Sequence, residues 1–249
     1  MMRRSEQIGF SQRVHLEWFE HTVNLILAGN DRPTIESDLQ RILKTKVSVG
    51  GSAQRGNREK IITILIKVWL RVPKDLTILR DHGLSMLTNL SGDERMAVHW
   101  GMVIAVYPFW GAVASHVGRL LKLQGTCAAV HIQRRVREQY GERETVSRAA
   151  RRVIRSLVDW SVLKETGTKG VYEQGLSVPL NQIRIVTWLL EASLHARSIN
   201  SAHVHDLMEH PSLFPFRMPH VSAERLAAAS QRLELFRQGL DQEIFMFRK

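Results

Sequence analysis

A chain of 249 residues with 35 lysines and arginines against 24 aspartates and glutamates carries a formal charge of +11 and a pI near 10.4. Such a field draws it toward nucleic acid or an anionic membrane, leaves the choice between them open, and says nothing of fold. The single cysteine, Cys127, excludes an intramolecular disulfide and a cysteine-based zinc site. A reducing, cytoplasmic setting is expected, and Met1 to Ser11 lack the apolar stretch of a secretory signal.

In chain order, Gln12 to Ala28 is expected to be a helix with Val14, Trp18, Val23, Leu25 and Ile26 inward, ended by Gly29-Asn30. His15 and His21 read as surface or satisfied side chains. A turn through Asp31-Arg32-Pro33 leads to a second helix, Thr34 to Lys44, burying Ile35, Leu39, Ile42 and Leu43. Val49 to Arg58 is glycine-rich and basic, and its glycines do not fit the GxxxxGK[ST] spacing of a nucleotide loop. It is either a plain connector or, through Arg55 and Arg58, a grip on a backbone phosphate. Asn57 would cap an apolar helix running to Leu70. Pro73 ends that run, and Asp75 to Leu87 gives a further helix with Gly83 as a possible interruption.

Met96 to Val117 is apolar over roughly the 20 residues that a membrane span needs. His99, Ser115 and His116 interrupt it and Pro108 divides it, so two buried helices are expected instead, the first opened by a Ser91-x-x-Glu94 capping box. No membrane partner is expected.

From Thr126 to Gln174 two helix patterns and a hairpin signal follow one another. Thr126 is placed to cap a helix carrying Ala129, Ile132, Val136 and Tyr140, closed by Gly141. Cys127, at its opening, reads as a small buried residue rather than a reactive thiol. A second helix from Glu144 to Trp160 would bury Val146, Ala150, Val153, Leu157 and Trp160 and present Arg148, Arg151, Arg152 and Arg155 on the other side. Val162 to Thr166 then meets Val171 to Gln174 across Gly167-Thr168-Lys169-Gly170, two β-prone runs around a glycine-bounded turn. Helix, turn, helix and hairpin together read as a winged helix-turn-helix. Arginine forks onto phosphate or guanine, so this stripe suits the major groove of double-stranded DNA. Arg143, Thr145 and Ser147 at the helix start, and Lys164, Thr168 and Lys169 on the wing, complete the candidate DNA-binding set. The alternative is a solvated or protein-contact face, with Glu144 and Asp159 pairing part of the stripe.

Beyond the hairpin, Asn181 to Ala196, Ser201 to Glu209 and Ser222 to Leu235 are expected helices, and Glu243 to Arg248 is a terminal strand or an apolar tail whose Phe245 and Phe247 could anchor a partner. Catalytic signatures are absent. His195, His203, His205 and His210 match no zinc spacing, and there is no GxSxG elbow, dinucleotide fingerprint or cleft-lining carboxylate pair. No enzyme activity, metal or cofactor is expected. The fold class is mainly α: an N-terminal helical bundle over residues 1–90, a winged helix-turn-helix domain over 91–180, and a small helical C-terminal extension over 181–249.

The basic loop and apolar helix from Arg55 to Leu70, followed by the stretch Thr145 to Leu163, resemble the BrxA family of bacterial BREX phage-defence systems. The resemblance covers Gln12 to Gln174. It implies a non-enzymatic, cytoplasmic, all-helical DNA-binding accessory working beside a methyltransferase and ATPases, and it carries over no catalytic residue. Two other readings stay open, a stand-alone winged-helix transcription regulator and a protein-docking adaptor.

Overall fold

The computed structural model describes residues 4–48, 56–238 and 242–248, so Arg55 and most of the basic loop lie outside the described residues. The chain is mostly helical with small sheets. Four helices open it: α1 (Leu16–Leu27), α2 (Arg32–Lys46), α3 (Asn57–Trp69) and α4 (Thr77–Asn89). Asp31 caps α2 by accepting from the Thr34 N–H at 3.1 Å. Asn57 is not a cap. It is the first helical residue of α3, and the Glu59 carboxylate reaches back to the Gly56 N–H instead. The first helix also starts later than expected, because residues 11–15 run extended along another element described below. Gly83 does not interrupt α4; a Cβ there would sit 3.1 Å from the Trp188 ring, so the glycine marks a close approach.

The apolar stretch becomes α5 (Glu94–Val106) and α6 (Pro108–Gln124), which meet at 117°. Pro108 is tolerated because the first residue of a helix needs no N–H partner. No single helix among the described residues is long and apolar enough to cross a membrane. Every α5 residue from Met96 to Val106 is buried, which is how a helix can be apolar all round. α1, α3, α4, α6 and α9 (Ile183–Arg197) surround it. At Gly101 a Cβ would overlap the Trp188 ring, and Trp188 donates to the Leu79 carbonyl at 3.0 Å, tying α9 to α4. The expected capping box at Ser91 does not form. The Glu94 carboxylate accepts instead from the Asn181 N–H at 2.7 Å, supporting the entry to α9.

The chain continues through β1 (Thr126–Ala128), α7 (Ala129–Tyr140), α8 (Glu144–Asp159), β2 (Leu163–Glu165) and β3 (Val171–Gln174). Thr126 therefore starts a strand and caps nothing. β3 pairs antiparallel with both β1 and β2, giving a sheet of order β1-β3-β2. Cys127 points into the core from β1, and burial pushes its thiol up to about 11.

The C-terminal part departs furthest from expectation. After β4 (Val178–Pro179), which pairs with β6 (Phe216–Arg217), α9 leads to β5 (Ser201–His203), α10 (Val204–Met208), α11 (Ala223–Ala228), β7 (Leu233–Gln238) and β8 (Gln242–Phe247). It is an α/β unit rather than a helical extension. Its sheet has the order β5-β8-β7, again antiparallel with the last strand central. Apart from β6, which falls between α10 and α11, the chain thus repeats one pattern: helix, strand, helix, helix, two strands. Phe245 is fully buried in β8 and Phe247 stacks on His195 with centroids 4.7 Å apart, so the tail is used internally and is no free anchor.

Buried side chains form one apolar core that runs across the positions near 90 and 180 where the sequence suggested boundaries. Its centre is aromatic. Trp100 meets Trp110, Trp160, Phe214 and Phe216 edge-on at centroid distances of 5.7–5.9 Å, and donates to the Ser212 carbonyl at 3.1 Å.

Candidate nucleic-acid interface

α8 is built to show one side. Gly141, at φ +98°, ends α7, and two residues later Arg143 opens α8. Val146, Ala149, Ala150, Val153, Ile154 and Leu157 are buried, while Glu144, Thr145, Arg148, Arg151 and Arg155 are exposed. The arginines at 148, 151 and 155 follow the three- and four-residue steps of a single helix face. Their environments differ. Arg148 is 3.9 Å from Glu144, too far for a firm hydrogen bond. Arg155 pairs with Glu165 of β2. Arg151 has neither an ion pair nor a hydrogen bond among the described residues.

Two expected members leave the face. Ser147 is buried at 6% exposure, on the side turned into the protein. Arg152 is half-buried and donates to the Ser11 carbonyl. Burial, and then the charge of Arg148, lower its pKa. The cause is the extended segment before α1, which lies along one flank of α8. There the Val14 N–H donates to the Ser156 hydroxyl at 2.9 Å, Trp160 donates to the Val14 carbonyl at 3.1 Å, and Arg13 pairs with Asp159. The contact spans more than 140 residues of sequence, so no periodicity reveals it. Arg58 is likewise committed elsewhere: its guanidinium donates to the carbonyls of Val47 and Lys44 at 2.8 and 2.9 Å, closing the end of α2.

The remaining positions stay open. Arg143 is exposed and donates to the Tyr140 carbonyl at 3.3 Å, and Thr145 is exposed in the first turn of α8. Lys164 on β2, and Thr168 and Lys169 in the turn to β3, are exposed. Thr166 holds the turn by accepting from the Thr168 N–H at 3.2 Å, and Gly170 takes φ +78°. Sequence reasoning passed over one basic group, Arg134 and Arg135 on α7. Both are exposed and share Glu138 at 3.1 Å. Their adjacency on a helix that carries only Ile132 and Val136 inward was the available signal. Among the described residues no group of three or more His, Cys, Asp or Glu side chains is placed to hold a metal ion.

Compared with protein-family models, curated proteins and solved structures, the chain matches none.

Proposed function

We propose that this chain binds double-stranded DNA through α8, with α6 to β3 acting as a winged helix-turn-helix. The observation that carries the reading is the exposed arginine face of α8, whose central Arg151 has no ion pair or hydrogen bond among the described residues, beside a hairpin that exposes Lys164 and Lys169. The order α6, β1, α7, α8, β2, β3 with β3 central suits such a module, since it holds one helix outward and one hairpin beside it. In that mode α8 enters the major groove. Arg148 and Arg151 meet base edges or phosphates, Arg143 and Thr145 reach the backbone near the helix start, and the wing lysines take neighbouring phosphates. Glu144 and Glu165 must release Arg148 and Arg155 on binding. Exposed pairs of this kind are weak, so the exchange costs little. The role proposed is that of a non-enzymatic accessory, in line with the resemblance to the BREX protein; a dimer on an inverted-repeat site would make it a transcription regulator.

Fluorescence anisotropy with a mixed-sequence duplex tests the reading. Arg148→Glu/Arg151→Glu is expected to weaken binding about a hundredfold, whereas Arg225→Glu/Arg237→Glu, in the C-terminal unit, should change it less than about threefold. Equal affinity of both variants and the intact chain would defeat the proposal.

A further inference from the structure

Between α6, α9 and the end of α7 lies a cavity of about 300 Å³. α6 and α9 are the first helices of the two repeated units, so the cavity sits at their junction. No carboxylate lines it. Two of its residues are arginines, Arg119 and Arg197, both exposed, and neither makes an ion pair or hydrogen bond among the described residues. Elsewhere in this chain many arginines are matched by an aspartate or glutamate, so an unmatched pair at one cavity is a local excess of charge.

The other polar groups carry no carboxylate charge. Ser193 and Ser212 are buried at 1% and 3% exposure. His210 Nδ1 lies 2.8 Å from the Ser212 hydroxyl and 3.3 Å from the Ser212 N–H, so that atom and the Ser212 hydroxyl are already engaged with each other. Burial, then Arg197 and Arg119, hold His210 down to about 4, with Asp206 the opposing carboxylate. His116 is lowered by burial and by Arg119 and Arg135, against a hydrogen bond to Gln139 and the charge of Glu138. Burial is the larger cause for both histidines, and the neighbouring arginines act in the same direction.

Two guanidinium groups over neutral hydroxyl and imidazole donors suit a dianion with several acceptor oxygens. We infer that this cavity binds the phosphate monoester of a small molecule, with Arg119 and Arg197 neutralising it and His210 and Ser193 serving its remaining oxygens. The volume admits a phosphate with a compact body. A diester in a duplex backbone offers one charge and cannot reach buried serines. The inference does not depend on α8 binding DNA.

Isothermal titration calorimetry of the full chain with AMP, and separately with inorganic phosphate, provides the test. Both arginines are exposed, so Arg119→Gln/Arg197→Gln should keep the fold, checked by near-ultraviolet circular dichroism. Saturable binding is expected, weakened about a hundredfold in that variant, from about tenfold for each lost charged contact, and unchanged in Arg148→Glu/Arg151→Glu. Absence of saturable binding of both probes to the intact chain, or equal affinity in the double glutamine variant, would overturn it. Duplex titrations of the same variant separate the two phosphate sources: a loss of duplex affinity as large as the loss for AMP would assign the site to backbone phosphate and overturn the small-molecule inference.

Discussion

From α6 to β3 the chain runs helix, strand, helix, helix and two strands; from α9 to β8 it follows the same order except for the short strand β6 between α10 and α11, and in each three-stranded sheet the last strand lies between the other two. What the two units expose is different. The third helix of the first, α8, has 16 residues and presents Arg148, Arg151 and Arg155; its counterpart α11 has 6 and presents Glu224 and Arg225. On the first hairpin Lys164 and Lys169 stand without an ion pair among the described residues. On the second, Arg237 lies between Glu224 and Glu243, and Phe236 is 53% exposed. One topology thus carries a basic face in one place and a neutralised one in the other. Surface charge, not strand order, singles out the first unit as the DNA-binding candidate.

The comparison breaks most severely if the units are pulled from their shared core. Trp160 ends α8 at 2% exposure against Phe19, Trp100 and Trp110, and Phe245 is fully buried in β8. Trp160→Ala and Phe245→Ala should each cost about 3–5 kcal/mol in urea unfolding. With one continuous core, each variant should still unfold in a single transition. A second transition in Phe245→Ala alone would show the C-terminal unit melting independently.

Acid should loosen the base on which both units rest. Glu20 of α1 lies against two α5 residues, with His99 Nε2 at 3.1 Å and Arg95 in a bidentate pair. Burial opposes its ionisation, but His99 and Arg95 outweigh that and hold it at about 2. A depressed carboxylate contributes its stability above the unfolded value near 4.5 and loses it as pH falls toward 2. Comparing urea midpoints from pH 6 to 2, Glu20→Gln should remove that part of the acid sensitivity. An unchanged pH profile would contradict the assignment.

How far the units could be read from sequence differs too. α7, α8 and the hairpin were legible because each carries its own signal: a 3.6-residue period, Gly141, and glycines at both ends of the turn. β1 was not. Three residues form a strand only because β3 pairs with them more than 40 positions later. The same holds for β7, where Leu233-Glu234-Leu235 continues an alanine-rich helical pattern and is overruled by its register with β8. Site residues followed suit. Arg148 and Arg151 are where the helical wheel puts them, while Ser147 and Arg152 were lost to packing and to a distant segment. The acidic partners that quieten Arg237 were equally out of view, since Glu224 sits on another element.

A small gain should follow from releasing that arginine. Glu224→Gln/Glu243→Gln would unmask Arg237 and tighten duplex binding about two- to threefold at low salt, an effect screened as ionic strength rises. A gain of about tenfold or more would mean that the second unit already touches DNA.

The decisive readout is the slope of log affinity against log salt for a mixed-sequence duplex. Arg143, Arg148, Arg151, Lys164 and Lys169 as phosphate contacts predict a slope of about −4 to −5 for the intact chain, from about 0.9 per contact. Lys169→Ala should lower its magnitude by about one while leaving sequence preference unchanged. A slope near zero, or one that Lys169→Ala and Arg151→Ala both leave intact, would contradict DNA binding by this face.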